Sequence, residues 1–488
     1  MQKTSDITLS PGTSATYLPP LKALTAPWIN RLLEDPERIR RQMDEHGSPL
    51  NIHCLEPFAR NYREYAEVFE DHQLRHLVLF ARKANKCQAF VEAASRLGFG
   101  VDTASFRELQ QCLQLGCDPQ RLVYTAAIKD RRSVYLAVQH GVSIILDNVD
   151  ECMLVKQVAE DLGKPAVVGL RISGFHVDGK KLYSRFGFDI DKVESVIRRV
   201  FPTEKSRQLM DYRGLHFHLD GYSSNQRGVA MHAAMDLAFK LQNYQLNTQF
   251  IDIGGGLLMN YLEKQSQLEA FEKSLKLALR EERLPLTFNN DGLGYEMIDG
   301  ELHGKLKVYP YFNHNPRSVF LNDILNVTNS AGVSVSARAR AMDLEVRMEP
   351  GRSLLDQTGV TVARVAHRKV DSRGDLLVGL EMNMTQMYSS SADFLLDPIV
   401  INQNKKPGQK GIGAYFTGAY CLERDVLLKR KIQLDQIPSV GDLVVFLNTA
   451  GYMMHFFESE AHLFELASNL VFDVKRESFT LDGDASLA

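Results

Sequence analysis

Lys83 is the first residue placed to do chemistry in this 488-residue chain: it follows the apolar, strand-like run Leu77-Val78-Leu79-Phe80-Ala81 and precedes Ala84-Asn85 and a helical stretch. An amine held at a strand end in a partly desolvated, cationic setting stays near neutral and can attack an aldehyde. Taken alone, Lys83 reads as a solvated surface charge or as an ion-pair partner of Asp102, which ends the next strand in Gly100-Val101-Asp102. For Asp102 itself the competing role is a helix cap. Gly254-Gly255-Gly256 directly follows Ile251-Asp252-Ile253. Residues without side chains let backbone N–H groups close on a phosphate, although a tight strand-to-helix turn uses the same glycines.

Further along, Glu349-Pro350-Gly351-Arg352 sets a carboxylate three residues from a guanidinium, the group best suited to charge-assisted bonds with phosphate. In Gly214-Leu215-His216-Phe217-His218 the two imidazoles fall on one strand face, because strand side chains alternate, and one of them can stack on a flat ring. Cys421, in Cys421-Leu422-Glu423-Arg424-Asp425, offers a thiol whose ordinary pKa of about 8.5 suits proton donation; a small buried core residue is the alternative. Arg171, in Leu170-Arg171-Ile172, ends another strand, with an ordinary ion pair as its alternative, and Tyr452, after Gly451, would by itself be a packed aromatic.

Groups of this kind need a scaffold that brings many strand ends to one side. From about residue 48 to 256 short aliphatic runs alternate with helix-length amphipathic segments. Strands are expected at 77–81, 100–102, 121–124, 143–146, 166–172, 214–218 and 249–253, with helices at 86–97 and 105–115. Strands each followed by a helix describe a (β/α)8 barrel, whose catalytic groups sit at the C-terminal strand ends. Beyond about Arg338 strand-dominated sequence takes over, with strands expected at 360–365, 376–380, 425–428 and 443–446. The expected division is a flexible Ser/Thr/Pro-rich arm over 1–26, a segment joining the β-domain over 27–50, a barrel over 51–337 and a β-domain over 338–488. Residues 285–337 read as an insertion in the barrel, whose aromatic residues form either a lid or a surface loop.

The 57 basic and 60 acidic residues give a formal net charge of −3, no electrostatic ground for a nucleic-acid or anionic-membrane partner. Six cysteines without a Cys-x-x-Cys pair suit neither a disulfide scaffold nor zinc, and point to a reducing compartment. The first thirty residues lack the apolar core of a signal peptide, and no stretch approaches the ~20 apolar residues of a membrane helix, so a cytoplasmic protein is expected.

In their order, these clusters resemble the fold-type III pyridoxal 5′-phosphate (PLP) decarboxylases, the family of diaminopimelate, ornithine and arginine decarboxylases, from about Gly47 to about Tyr452. The resemblance implies an alanine racemase-like (β/α)8 TIM-type barrel with a C-terminal β-sandwich or β-barrel domain. It also implies PLP as cofactor, no metal, and a homodimer whose active sites are shared head to tail. Lys83 would bind the PLP aldehyde, with Asp102 and Arg171 near the cofactor and His218 stacked on its ring. Gly254, Gly255, Gly256, Arg352 and Tyr452 would hold its phosphate. Glu349 would face the pyridine nitrogen, where a carboxylate makes the ring a strong electron sink. The implied catalytic residues are Lys83, His218 and Cys421, acting through aldimine and quinonoid intermediates, with Cys421 returning a proton to Cα after carbon dioxide leaves.

Three departures mark a divergent branch. The family reads His-x-Gly-Ser where this chain has His218-Leu219-Asp220-Gly221-Tyr222-Ser223, so the phosphate-binding serine is replaced or displaced to Ser223. Leu422 stands where an acidic residue follows the cysteine, although the Cys-x-x-x-Asp spacing to Asp425 is kept. Met387 through Pro398 matches neither the Arg-Pro-x-Leu-Tyr pattern of diaminopimelate decarboxylases nor the Tyr-Asp signature of ornithine enzymes. Asp393, Asp397, Glu423 and Asp425 are the candidates for substrate binding. The resulting expectation is an amino-acid decarboxylase acting on diaminopimelate, a basic amino acid, or an amino acid conjugated in a siderophore- or antibiotic-type pathway. A fold-type III racemase and a non-catalytic PLP-binding regulatory paralogue are the alternatives. Glu349 and Cys421 favour the decarboxylase over the first, and retention of Lys83, Glu349 and Cys421 over the second.

Overall fold

The computed structural model describes residues 17–388, 394–404 and 411–484. These form two compact units, one of Phe58–Leu258 with Asn315–Leu354 and the other of the remaining described stretches.

The first unit is a closed barrel of eight parallel strands. They are His76–Ala81, Gly100–Thr103, Leu122–Tyr124, Ser143–Leu146, Ala166–Ser173, Met210–His216, Phe250–Asp252 and Glu345–Met348. Each pairs with the next, and Glu345–Met348 pairs with His76–Ala81 to complete the ring. Leu77, Leu79, Val123, Ile145 and Phe250 pack together within this unit. Room for the Phe250 ring comes from two strand glycines: a Cβ on Gly214 would lie 2.6 Å from that ring and one on Gly169 3.2 Å from it. Helices follow the strands because their apolar positions recur at helical spacing. Val149–Leu162, capped by the Asn148 side chain on Glu151 N, buries Cys152, Val155, Val158 and Ala159.

The sixth strand begins at Met210 and stops at His216, so His218 is not a strand residue sharing a face with His216, as its spacing suggested, but lies in the loop beyond. The eighth strand, Glu-Val-Arg-Met, has no apolar run. Glu345 pairs with Arg347, whose guanidinium lies 3.8 Å over the Phe250 ring.

In the second unit the twelve-residue strand Gly359–Val370 is the hub, pairing antiparallel with Leu50–His53, Leu376–Leu380 and Leu443–Leu447. From these the sheet continues to Ser468–Asp473 and Ser478–Leu481, to Ile412–Thr417 and Ile432–Leu434, and to Ile399–Ile401. Leu50, Ile52, Val360, Val362, Val445 and Phe446 lie in its core.

The units divide elsewhere than at 337/338. That position falls inside helix Val335–Ala341, and the last barrel strand comes after it. Only part of 285–337 is set apart from the barrel. Arg317–Asn326 buries Phe320, Leu321, Ile324 and Leu325 as a helix of the barrel unit. Of the aromatic residues considered for a lid, Tyr309 and Tyr311 are buried against Tyr261 in the core of the second unit. Order also begins before Pro27: Leu18, Leu21 and Ala23 are buried, and Leu24 N donates to Tyr261 O at 2.8 Å. Residues 425–428 form no strand, since the Asp425 carboxylate closes a loop by accepting from Met384 N at 2.8 Å and Tyr420 N at 2.7 Å.

Candidate active site

Lys83 lies in the 3-10 turn Arg82–Ala84 that ends the first barrel strand. Its neighbour Arg82 points inward and donates to Asn85 O and Cys87 O, each at 2.8 Å, which anchors the turn. Lys83 keeps 39% of its side chain exposed while its Nζ lies 3.5 Å from Asp102, whose side chain is fully buried. The pairing considered from sequence is therefore real, and it leaves the amine reachable. Lys129 offers the contrast within the same unit. Its side chain is 1% exposed, with Nζ held by Glu151 at 3.0 Å and Ala126 O at 2.7 Å, so it is closed to any carbonyl compound. The helix-cap alternative for Asp102 fails, because Ser105 caps that helix and Asp102 instead accepts from Thr125 Oγ1.

Around Lys83 the strand ends gather buried carboxyls. His216 Nε2 lies 3.1 Å from Glu349 Oε1, both buried, and Asp252 joins them, one nitrogen of His216 and one oxygen of each carboxyl all lying within 4.8 Å of one another. Burial pushes the Glu349 carboxyl up, while the charges of Lys83 and Arg171 pull it back. Burial raises Asp102 and, much further, Asp252, and in both cases the Glu349 charge adds to the rise. The imidazoles move the other way. Burial, assisted by Arg171, holds His216 well below its ordinary value, and burial with Lys83 does the same to His218. A neutral His216 donates its Nε2–H to Glu349, leaving Nδ1 without a hydrogen-bond partner. Arg171, read as a strand-end arginine, lies 4.3 Å over the Phe186 ring.

The glycine triplet ties these parts together. Gly254 and Gly256 hold left-handed φ angles of 69° and 80°. A Cβ on Gly254 would lie 2.7 Å from Phe217 O, and one on Gly255 2.5 Å from Glu349 O. Gly255 N donates to His218 Nδ1 at 3.1 Å, and Glu349 N to Gly254 O at 3.0 Å. Only side-chain-free residues let the loop pack this closely against both motifs. Arg352 is half-buried in the turn that follows Glu349. Ser223, the proposed replacement for the missing serine, caps helix Ser224–Leu241 through Gln226 N at 3.2 Å. Sequence reasoning passed over Arg227, in the first turn of that helix, which is buried and donates to Gly255 O and Gly256 O. No sequence signal singles it out, since the same helix carries Asn225, Gln226, Asp236 and Lys240.

The remaining expected residues belong to the other unit. Cys421 is an exposed free thiol and Glu423 is exposed. Both oxygens of Asp397 are taken, one by the buried Arg430 and one by Leu21 N at 2.9 Å; Asp425 is likewise engaged by backbone amides. These two carboxylates hold the fold together rather than lying open to a substrate. Asp393 lies outside the described residues. Tyr452 adopts φ 71°, a strained conformation for a bulky residue that is typical of functional positions.

The barrel unit fits PLP in its donor set: a reachable amine for the aldehyde, a buried carboxylate for the ring nitrogen, and a glycine loop with a nearby arginine for the phosphate. A buried polar atom without a hydrogen-bond partner, His216 Nδ1, marks the same place.

Among the described residues no helix is long and apolar enough to cross a membrane. The family model described as "Pyridoxal-dependent decarboxylase, pyridoxal binding domain" matches residues 55–287. An uncharacterized Sinorhizobium fredii protein, y4yA, is 30% identical over 422 residues, 86% of each chain. The diaminopimelate decarboxylase of Pseudomonas aeruginosa is 26% identical over 262 residues, 51% of this chain and 61% of that enzyme. Among solved structures, the M. jannaschii diaminopimelate decarboxylase in co-complex with L-lysine superposes with a TM-score of 0.67 at 18% identity, over 90% of each chain, which shows a shared fold. The family model covers the stretch from Lys83 to the glycine loop, the y4yA likeness runs through most of the chain, and on these grounds the chain belongs to the fold-type III family of pyridoxal-dependent decarboxylases.

Proposed function

We propose that this PLP-dependent carboxy-lyase removes the α-carboxyl group of an amino acid with a charged distal end, of the class of diaminopimelate or a basic amino acid. The observation that carries the reading is the exposed Lys83 amine set against the buried Asp102 and near the Glu349–His216 pair. When bound, PLP supplies an electrophilic carbonyl and an electron-withdrawing ring. With PLP bound, Lys83 would hold its carbonyl carbon and Glu349 its ring nitrogen. The His216 Nε2–H occupies one Glu349 oxygen and leaves the other for a protonated ring nitrogen. His218, kept neutral, offers a flat face to the ring, and its bond from Gly255 N holds the imidazole fixed. Gly254–Gly256 with Arg352 would take the phosphate, and Cys421 would donate the proton that Cα needs once the carboxylate has left.

The charged distal end is suggested by a cavity of about 540 Å3 in the second unit. Its walls include Asp291, Glu423, Arg424 and Lys429 with Phe288, Met387 and Tyr388, beside the Cys421 loop. Charges of both signs suit a distal zwitterion or amine. The cavity's size, and its lining by Phe288, Asn289 and Asp291, favour as second reading an amino acid already conjugated to a further group.

The assembly is a homodimer with shared sites. Its support is a run of rings in which half-buried Tyr452 leads to exposed Phe456, Phe457 and Tyr388, with successive centroids 5.8, 5.1 and 5.1 Å apart, of the kind that a second copy covers. Carbon dioxide release from a panel of diaminopimelate, lysine, ornithine, arginine and citryl-conjugated amino acids tests the substrate. Release from the charged free amino acids is expected. Exchange of the α-proton with no release from any member would replace the decarboxylase by the racemase.

A further inference from the structure

Among the described residues Arg227 is a buried cation without a carboxylate partner. Its side chain is 1% exposed, yet its guanidinium donates only to backbone carbonyls: Leu219 O at 3.1 Å, Gly255 O at 3.2 Å, Gly256 O at 3.3 Å and Ser223 O at 3.5 Å. Nε has no hydrogen-bond partner, and the guanidinium carbon lies 5.6 Å from the Phe320 ring. Asp220 and Tyr222 lend it some negative field, but burial dominates and brings its pKa down to about 10. A guanidinium taken out of water with no anion beside it is costly unless an anion arrives with a ligand.

The bonds show where that anion belongs. Arg227 clamps the carbonyls of two loops, the glycine loop and the histidine loop at Leu219, and turning carbonyl oxygens toward the guanidinium turns the intervening amides away from it. Among the described residues Gly256 N donates no hydrogen bond. The clamp also explains a glycine, since a Cβ on Gly256 would lie 2.6 Å from the guanidinium. The histidine loop is where this chain departs from the His-x-Gly-Ser pattern.

We infer that Arg227 is a positioning residue for the cofactor phosphate: it holds the glycine loop in its anion-binding form and supplies, from beneath the loop, the positive charge that offsets the phosphate. The inference rests on the assignment of this site to PLP. Wild-type, Arg227→Met and Arg227→Lys apoenzymes are titrated with PLP and with pyridoxal, which lacks the phosphate. Arg227→Met is expected to weaken PLP by about 30-fold or more while leaving pyridoxal nearly unchanged. Arg227→Lys, which keeps the charge, is expected to retain most of the preference for PLP, and it serves as the test should the Met variant not fold. Inorganic phosphate is expected to raise the thermal midpoint of wild-type apoenzyme and not that of Arg227→Met. Equal losses for PLP and pyridoxal would reduce Arg227 to a structural clamp, and unchanged PLP affinity would remove it altogether; either result overturns the inference. Failure of wild-type apoenzyme to take up PLP at all would overturn the site assignment as well, so the two failures are distinguishable.

Discussion

Replacing Gly255 by alanine tests how tightly the glycine loop is built onto Glu349. Gly255 lacks the left-handed φ of Gly254 and Gly256, so alanine adds a collision without backbone strain. The new Cβ would lie 2.5 Å from Glu349 O, whereas ordinary contact begins near 3.4 Å. The shortfall of roughly 1 Å falls on a backbone atom that cannot swing aside. The surroundings resist a shift too: Glu349 N is bonded to Gly254 O at 3.0 Å and Gly255 N to His218 Nδ1 at 3.1 Å. Overpacking of this kind costs about 1–3 kcal/mol. If relief separates the loop from Glu349, that cost appears as a loss in PLP affinity of roughly 5- to 150-fold. The assay is a spectral titration of apoenzyme with PLP beside thermal melts of the apo forms. Gly254→Ala and Gly256→Ala, which add backbone strain to their own collisions, should lose at least as much. PLP affinity within twofold of wild type for Gly255→Ala would refute the placement of the phosphate on this loop.

Burial of neutral His216 makes a signed pH prediction. Its folded pKa is depressed well below the unfolded value near 6.5, so the stability it contributes is present above that value and is lost as pH falls below it. The loss is about 1.4 kcal/mol per pH unit. Between pH 7.5 and 5 wild-type apoprotein should lose stability relative to His216→Asn, read by urea unfolding; a constant gap would mean that the folded imidazole titrates as it does in the unfolded chain. Shared active sites predict complementation between Lys83→Ala and Cys421→Ala. Mixed after dissociation in equal parts, half of the dimers are hybrids with one intact site each, which restores about a quarter of wild-type activity. No recovery would place Lys83 and Cys421 of one chain in the same site.

The barrel was largely legible because most of its first seven strands carry short apolar runs followed by helix-length segments, and fully buried parallel strands have to be apolar. The eighth strand escaped because Glu345 and Arg347 satisfy each other, so no apolar run marks it. The docked N-terminal stretch looked like an arm by composition, yet Leu18 and Leu21 find a core contributed by residues far along the chain. At the site, Lys83, Asp102, His218, the glycines and Glu349 could be named because motif order places them at successive strand ends. What sequence could not show is how they lock together: the Gly255–Glu349 packing joins residues almost a hundred positions apart, and Arg227 acts through backbone carbonyls, which leave no motif. Asp397 was named for its charge and Asp425 for its spacing from Cys421, and their engagement with Arg430 and backbone amides was invisible without the fold.

The central claim is that Lys83 is the lysine to which the cofactor is bound. Borohydride reduction of PLP-loaded enzyme, followed by proteolysis and peptide mass mapping, reads this directly. A single reduced phosphopyridoxyl group on the peptide containing Lys83, lost together with the visible absorption in Lys83→Ala, is the predicted result. Label on another lysine such as Lys129, or retention of both signals in Lys83→Ala, would contradict it.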